Sequence, residues 1–195
     1  MTINISYSWQ EKLTVNLSDH RIFLQRVNQQ TESTEIFYGT AKGWFGDCLI
    51  AATDKGVCWL NLAPTSDSLA ELQSVWTAAR LVRDDSRAKE LAQQVFKAGD
   101  AQVPLHLCGS DFQLTVWQAL LGIRSGHCMT YGQLAACINL PHGARAVGNA
   151  VGANGIAILV PCHRVLPVSG GSGRYRWGDG LKKALLEREY LAVAA

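Results

Sequence analysis

The sequence predicts an α/β domain, a small sheet with flanking helices, followed by a mainly α-helical domain with a winged-helix-like helix-turn-helix. Three observations predict this fold class. Strand-like apolar runs and two amphipathic helices fill residues 36–103, two helix-capping motifs occur in residues 104–195, and a stretch with glycine and proline, residues 99–104, separates them. Residues 1–35 alternate loosely between apolar and polar side chains, which suggests a strand or two, and form an N-terminal extension without an assigned function.

The first unit is defined by turn and cap signals. Strands are predicted over residues 44–53 and 57–62, on either side of an Asp-Lys-Gly turn. Two amphipathic helices should follow, with N-caps near Ser66 and Asp85, and the second should end at Gly99. Together these elements form the predicted small sheet and the helices that cover it.

Two capping boxes define the second unit. Ser110-Asp111-Phe112-Gln113 precedes a helix expected over residues 111–122, and Thr130-Tyr131-Gly132-Gln133 precedes a shorter helix that ends near Asn139. A break at residues 140–143 then separates that helix from another one. Helix, short turn, helix is the outline of a helix-turn-helix.

The helix after the break carries almost no bulky side chains. Its small residues are Ala144, Ala146, Gly148, Ala150 and Gly152. Each glycine costs about 1 kcal/mol of helix stability relative to alanine, so a close approach to another surface should compensate. That surface could be nucleic acid, with Arg145 projecting into it, or the interior of the domain, with Arg145 in a surface ion pair.

The segment Pro161-Cys162-His163-Arg164 carries the most chemistry. The apolar residues 156–160 predict a strand that delivers the Cys162 thiol to a proline-stiffened strand end. A thiol reacts as its thiolate, and a neighbouring imidazole can take the proton. A buried cysteine is also a common core residue, so these four residues alone leave both interpretations open. The glycine-rich residues 169–173 can turn the chain back and form one wall of a pocket.

Composition limits the class of protein. Hydrophobic residues make up 48% of 195, which is ample for real cores. Without an apolar run of about 18 residues or a signal-peptide pattern, we expect a cytoplasmic protein with no membrane partner. Six cysteines without a Cys-x-x-Cys pair predict neither a disulfide framework nor a metal site. Residues 1–100 carry 10 Lys+Arg against 12 Asp+Glu, whereas residues 101–195 carry 8 against 4, which is compatible with a polyanionic partner.

Seven blocks of the sequence, over residues 109–190, are informative when taken together. They are Phe112-Gln113 with Val116-Trp117, Thr130-Tyr131, Arg145-Ala146-Val147-Gly148, Asn154, Pro161-Cys162-His163-Arg164-Val165, Gly173 with Tyr175, and Lys182 before Leu185-Leu186. In order and spacing these blocks resemble the O6-alkylguanine-DNA alkyltransferases. Tyr175-Arg176-Trp177-Gly178 is most similar to the C-terminal half of the bacterial adaptive-response members. Residues 36–100 resemble the N-terminal α/β domain of that family, and residues 1–35 lie outside the resemblance.

The resemblance implies a role for four residues in the chemistry. Cys162 would be the acceptor thiol that attacks the alkyl carbon on the guanine oxygen. His163 would act as base through a water, and Glu189 would hold that histidine in the required tautomer, which is the nucleophile, base and orienter arrangement of covalent catalysis. Asn154 would fix the turn between the recognition helix and the segment that carries the thiol.

The resemblance also implies how DNA is bound. Tyr131 would press on the phosphate of the target nucleotide and help to protonate the leaving base, and Arg145 would fill the gap left by the flipped guanine. The expected DNA-binding set is Tyr131, Arg145, Thr130, Ala144, Ala146 and Gly148. The expected substrate pocket is lined by Tyr131, Ala157, Val165, Tyr175 and Arg176, with backbone groups of Cys162, Val165 and Arg176 on the guanine edge.

The function that the resemblance implies is suicidal DNA repair. A monomer would flip O6-alkylguanine, and also O4-alkylthymine, from double-stranded DNA and keep the alkyl group on Cys162 after one turnover, with no cofactor and no metal. Three departures from the family pattern remove no chemical role: Gly155 replaces a proline, Ile123-Arg124-Ser125-Gly126 lacks a proline, and Arg176 replaces a small residue.

Three other functions differ from repair in what they require of the sequence. One is a non-catalytic protein that binds alkylguanine in DNA, although such relatives lack the acceptor cysteine. Another is a helix-turn-helix regulator, which would prefer one duplex sequence. A cysteine hydrolase has no support, because no oxyanion-forming motif accompanies Cys162.

Overall fold

The computed structural model describes residues 22–29, 34–97 and 103–193, so the strands expected before residue 22 lie outside the described residues. A mixed sheet with two helices comes first, and a helical region follows it. The strands are β1 (Ile22–Arg26), β2 (Glu35–Gly43), β3 (Gly46–Ala52), β4 (Val57–Asn61), β5 (Arg80–Arg83), β6 (Leu105–Gly109), β7 (Met129–Thr130) and β8 (Val165–Leu166). The helices are α1 (Ser68–Val75), α2 (Asp85–Phe96), α3 (Asp111–Leu121), α4 (Tyr131–Cys137), α5 (Ala144–Gly152) and α6 (Asp179–Val193). This agrees with the predicted fold class.

The sheet has six strands in the order β1-β6-β4-β3-β2-β5. Strands β2, β3 and β4 form an antiparallel meander, whereas β1 with β6, β4 with β6 and β2 with β5 pair in parallel. All five residues of β4 and all five of β6 are buried, which explains why their sequences are continuously apolar or nearly so. The larger core cluster contains residues of both this sheet and the helices that follow it.

The first unit differs from the sequence-based prediction in its details. The N-cap of α1 is Asp67 and the N-cap of α2 is Asp84, whose side chain accepts from the Arg87 N–H at 2.9 Å, so both caps lie one residue away from the predicted ones. The predicted end of α2 at Gly99 lies outside the described residues. Strands β5 and β6 were not predicted, and β6 joins the six-stranded sheet although it follows residue 103, where the division into two units was predicted.

Both capping boxes of the helical region are confirmed. The side chains of Ser110 and Gln113 bond each other's backbone N–H groups, and Thr130 and Gln133 do the same. Helices α4 and α5 form the predicted helix-turn-helix. The Trp117 indole of α3 donates to the Ala150 carbonyl at 2.8 Å, which fastens α5 to α3. Within the described residues, none of the helices combines the length and the apolar character needed to cross a bilayer.

The predicted strand over residues 156–160 is wrong, because the segment is a turn with a single bridge from Ile156 to Leu60 of β4. The Asn154 side chain accepts from the Ile156 N–H and donates to the carbonyls of Ile156 and Val160, which replaces ladder bonds. Ile158 has a φ of 65°, in the left-handed region that β-branched residues rarely adopt. An apolar run signals burial, and burial alone does not distinguish a strand from a turn.

His106 of β6 should make the fold sensitive to mild acid. The side chain is 2% exposed, with Nδ1 2.9 Å from Thr53 Oγ1, and burial together with the nearby Lys55, against the opposing Asp54, lowers its pKa from 6.5 to about 4. The folded state therefore disfavours the proton, so the stability that His106 contributes is complete above pH 6.5 and falls as the pH drops towards 4. We expect a loss of about 2 kcal/mol between pH 7 and pH 5.

The measurement is urea unfolding at both pH values for the wild type, His106→Gln and the matched surface variant His142→Gln, whose position is exposed. His106→Gln should flatten the pH dependence, and His142→Gln should leave it unchanged. An equal pH dependence in all three proteins would show that His106 is not the sensitive group.

Candidate active site

The Cys162 thiol is buried where the turn after α5 ends. Cys162 opens a single 3-10 turn (Cys162–Arg164) after Pro161, and its side chain is 5% exposed. Asn154 is 2% exposed, and its side-chain nitrogen lies 3.2 Å from the Cys162 sulfur and 3.0 Å from each of the carbonyl oxygens of Ile156 and Val160, so its two hydrogens are shared among three acceptors. One amide therefore both shapes the turn and holds the sulfur, and such a donor stabilises a thiolate.

The next residue, His163, is fully buried against Glu189 of α6. Its Nε2 lies 2.8 Å from Glu189 Oε1, and Nδ1 has no hydrogen-bond partner in the described part of the chain. Burial lowers the pKa of His163 despite the opposing carboxylate, so the ring is neutral. A neutral ring that donates from Nε2 to Glu189 leaves the Nδ1 lone pair available to accept a proton.

Arg164 keeps Glu189 ionised. Its Nε and Nη2 donate to the carboxylate at 2.8 to 3.1 Å, and both side chains are 12% exposed. Burial alone would raise the pKa of Glu189, but the hydrogen bonds from His163 and Arg164, together with the Arg164 charge, outweigh it and lower that pKa to about 2. Arg164 also donates to the Ile123 carbonyl, which connects this pair to the end of α3.

Two tyrosines lie close enough to the sulfur for its charge to affect their own titration. The pKa of Tyr131, the first residue of α4, is raised mainly by burial and to a smaller extent by the charge of Cys162. The same two causes raise the pKa of Tyr175. The Tyr175 hydroxyl is buried without a well-formed hydrogen bond, and its ring packs edge-on against His163 at 6.5 Å between centroids. Both phenols therefore stay protonated and can act as donors.

The remaining expected pocket residues are placed by backbone contacts. Ala157 is fully buried and its N–H donates to the Leu60 carbonyl at 3.0 Å. Val165 is also fully buried, and its carbonyl accepts from Lys182 Nζ at 2.8 Å. The Arg176 side chain points away from the thiol and pairs with Glu71 of α1 at 2.9 Å. Only the backbone of Arg176 is therefore left to line the expected substrate pocket.

The expected DNA-binding residues lie on α4 and α5. The exposed residues of α5 are Arg145, Ala146, Asn149 and Gly152, whereas Val147, Ala150 and Val151 are buried. Gly148 lies beside the Tyr131 ring, since an added Cβ would be 3.7 Å from Tyr131 Cδ1. Thr130 caps α4, and Ala144 is half-buried. Among the ion pairs of the described residues none includes Arg145.

Comparison with known proteins identifies the family. Residues 111–191 match the family model of the 6-O-methylguanine DNA methyltransferase DNA-binding domain. The inducible methylated-DNA-protein-cysteine methyltransferase of Bacillus subtilis is 35% identical over 147 residues, which cover 72% of this chain and 82% of the relative. The chain belongs to the methylated-DNA-protein-cysteine methyltransferase family. The sequence-based resemblance is thereby confirmed.

Other relatives of this methyltransferase family show how far the likeness extends. The regulatory protein ada of Salmonella typhimurium is 37% identical over 164 residues, covering 81% of this chain and 46% of the relative, so the chain spans about half the length of that protein. The crystal structure of Mycobacterium tuberculosis OGT in complex with DNA has a TM-score of 0.65 and 31% identity over 81% of this chain and 94% of that chain. The described fold is thus a fold of the methyltransferase family.

Two residues beside the thiol and the His163-Glu189 pair had no role predicted from the sequence. Arg164 fixes Glu189, and Lys182 lies fully buried with its pKa lowered by burial and raised in part by the charge of Cys162. Burial also raises the pKa of the Cys162 thiol, while Asn154, Lys182 and Tyr175 oppose this shift. A lysine between apolar positions of α6 was the available signal for Lys182. No cluster of three or more potential metal ligands occurs within the described ranges.

Proposed function

We propose that this protein repairs double-stranded DNA by transferring the alkyl group of O6-alkylguanine, and of O4-alkylthymine, to its own Cys162 in a single turnover. The observation that carries the proposal is the buried Cys162 thiol, which accepts from the Asn154 amide and precedes the His163-Glu189 pair. Membership of the methyltransferase family and a structural relative in complex with DNA support it. The protein acts as a monomer and needs no cofactor for the transfer.

The transfer is an in-line displacement at the alkyl carbon. Because burial raises the pKa of Cys162, the resting thiol is protonated and needs a base. The proton passes through a water to His163 Nδ1, and the Glu189 carboxylate stabilises the imidazolium that forms. The sulfur-carbon bond forms as the carbon-O6 bond breaks, and the electron pair remains on guanine, which takes a proton from the Tyr131 hydroxyl. Solvent then reprotonates Tyr131.

Irreversibility follows from the product. The thioether has no leaving group that water can displace, and the consumed thiol cannot act again. The protein is therefore a stoichiometric reagent, and its repair capacity equals the number of molecules present.

DNA is bound through α5 with the base flipped out of the stack. The exposed small residues of α5 allow the helix backbone to approach a groove, and Arg145 fills the space of the extruded nucleotide. Backbone groups of Cys162, Val165 and Arg176 contact the guanine edge. Since the contacts are mainly to the DNA backbone, affinity should fall with salt and depend little on sequence.

The direct test is single-turnover reaction with a duplex that carries one radiolabelled O6-methylguanine. We expect about one label per protein molecule, and peptide mapping should locate it on Cys162. A duplex that is bound without any transfer of label would instead identify a non-catalytic lesion-binding protein.

Arg145→Ala should slow repair of duplex DNA by about tenfold or more and should leave reaction with the free O6-methylguanine base nearly unchanged. The physical reason is that unstacking costs a few kcal/mol, which an intercalating side chain offsets and a free base does not require. Single-turnover rates with both substrates measure this difference, with Arg124→Ala as an exposed arginine control. Equal slowing with duplex and free base would remove Arg145 from the flipping step.

A further inference from the structure

We infer that Arg176 is a positioning residue for alkyl transfer, because its guanidinium fastens the loop that closes the base pocket to Glu71 and Trp59 of the first unit. This pocket loop comprises residues 167–178. The inference rests on the proposed function, since it concerns the same pocket, and it assigns a task to the sheet unit in the chemistry of the second unit.

Arg176 reaches two elements of the sheet unit at once. Its Nη2 donates to Glu71 Oε2 of α1 at 2.9 Å, and its Cζ lies 5.6 Å from the ring centroid of Trp59 on β4. The Arg176 side chain is 29% exposed and that of Glu71 is 44% exposed. A planar guanidinium can pair with a carboxylate and lie over an aromatic face together, which a lysine does less well.

Strand β4 also holds the opposite wall of the pocket. The Trp59 ring packs against Gly155, where any side chain would overlap the indole. The Leu60 N–H donates to the Gly155 carbonyl at 2.9 Å, and the Leu60 carbonyl accepts from the Ala157 N–H at 3.0 Å. The turn that precedes the thiol and the loop that closes the pocket therefore both contact the same buried strand, β4.

A cavity of about 300 Å³ lies between these two attachments. Its lining includes Trp59, Glu71, Asn154 and Arg176, so the Arg176-Glu71 pair lies at its edge and the Asn154 turn forms part of its wall. Arg176 is the residue of the pocket loop that borders this cavity, so its contacts to Glu71 and Trp59 hold that side of the loop, while the next residue, Trp177, is anchored by burial at 7% exposure.

The pocket loop has few other constraints on its outer side. Gly170 and Gly171 have φ of 89° and 75°, and no atom lies within 4 Å of the position that a Cβ would occupy at either residue. Val168 is 84% exposed. After the glycines, the Tyr175 N–H donates to Asp179 Oδ1 at 2.9 Å. Arg176 follows directly, so its side chain sets the orientation of the backbone N–H that the family resemblance assigns to base reading.

The main competing role for Arg176 is a direct contact to a DNA phosphate. Glu71 would then be a competitor for the guanidinium, and its neutralisation would strengthen DNA binding. In the positioning role, loss of either partner slows transfer and leaves DNA binding unchanged. The two roles therefore predict different results for Glu71→Gln: tighter DNA binding if Arg176 contacts a phosphate, and slower transfer with unchanged DNA binding if Arg176 positions the loop.

The experiment measures single-turnover methyl transfer from an O6-methylguanine duplex over a range of protein concentrations, which separates the binding constant from the limiting rate. We expect Arg176→Ala and Glu71→Gln each to lower the limiting rate by about fivefold or more, because small misplacement of reacting groups is costly. The double variant should be no slower than the slower single variant, and the exchanged pair Glu71→Arg with Arg176→Glu should recover most of the rate. Arg176→Lys should recover part of it.

The matched control is Asp47→Asn, which removes the carboxylate of an exposed pair with Lys42 at 2.7 Å. It should leave the limiting rate unchanged. Amide hydrogen exchange of residues 167–178 should accelerate in Glu71→Gln and remain unchanged in Asp47→Asn, a readout that does not require transfer.

Two outcomes overturn the inference: a Glu71→Gln protein that reacts as fast as the wild type, or a double variant whose defect is the product of the single defects. Tighter DNA binding by Glu71→Gln would establish the phosphate contact instead. If the wild type transfers no methyl group, the proposed function fails, whereas the hydrogen-exchange comparison still decides whether Arg176 holds the loop.

Discussion

Cys162→Ala should abolish alkyl transfer completely while the protein still folds and binds DNA. The sulfur is the atom that forms the new bond, so no other group of the site can replace it. The fold should survive because alanine is smaller and apolar, and the Asn154 amide keeps the carbonyls of Ile156 and Val160 as acceptors. We expect a loss of stability of about 1 kcal/mol for the removed buried sulfur.

Transfer of label from the duplex measures the predicted loss of activity. Gel-shift titration measures the predicted retention of DNA binding. Cys162→Ser serves as a second variant, because a hydroxyl keeps the size but ionises far less readily than a thiol, and its transfer should be undetectable as well. Cys137→Ala is the matched control, since that cysteine is exposed on α4 and should be dispensable. Label retained by Cys162→Ala, or lost in Cys137→Ala, would place the acceptor elsewhere.

Glu189→Gln should produce the second largest effect, a fall in transfer rate of about a hundredfold, as expected when a general base loses its orienting partner. Glutamine has the shape of glutamate but cannot stabilise an imidazolium by charge. The same change leaves Arg164, only 12% exposed, without its anion, so we expect the free energy of unfolding to fall by about 3 kcal/mol.

Glu187→Gln is the control for this variant, because Glu187 lies on the same helix in an exposed pair with Lys183 at 3.8 Å. Its rate and its stability should match those of the wild type. A Glu189→Gln protein that is destabilised but transfers at the wild-type rate would reduce Glu189 to a structural residue.

Acid titration of stability provides a separate test of Glu189. The folded state lowers its pKa from 4.5 to about 2, so the carboxylate stabilises the fold above pH 4.5 and this contribution disappears as the pH falls towards 2. Glu189→Gln should therefore unfold with a weaker pH dependence than the wild type in that range. The His106 effect lies at higher pH, between 6.5 and about 4, and should remain in this variant.

The sequence by itself determined the local features of this protein. The capping boxes at Ser110 and Thr130 were predictable because both partners of each hydrogen bond lie within four consecutive residues. The helix-turn-helix followed from the break at residues 140–143, which separates the helix after Thr130 from the next one. The chemistry of Pro161-Cys162-His163-Arg164 followed from the residue types together with the family resemblance. The roles assigned to the site residues remain predictions that the variants above can test.

Only the tertiary structure decided the contacts between distant residues. Strands β5 and β6 form because they pair with strands that are remote in sequence, and residues 156–160 form a turn because the Asn154 side chain takes the carbonyls that a strand would use. Arg176 and Glu71 are 105 positions apart, and Arg164 and Glu189 are 25 apart. Periodicity and cap motifs report on neighbours within a few residues, whereas these contacts depend on how buried surfaces pack, which no short stretch of sequence encodes.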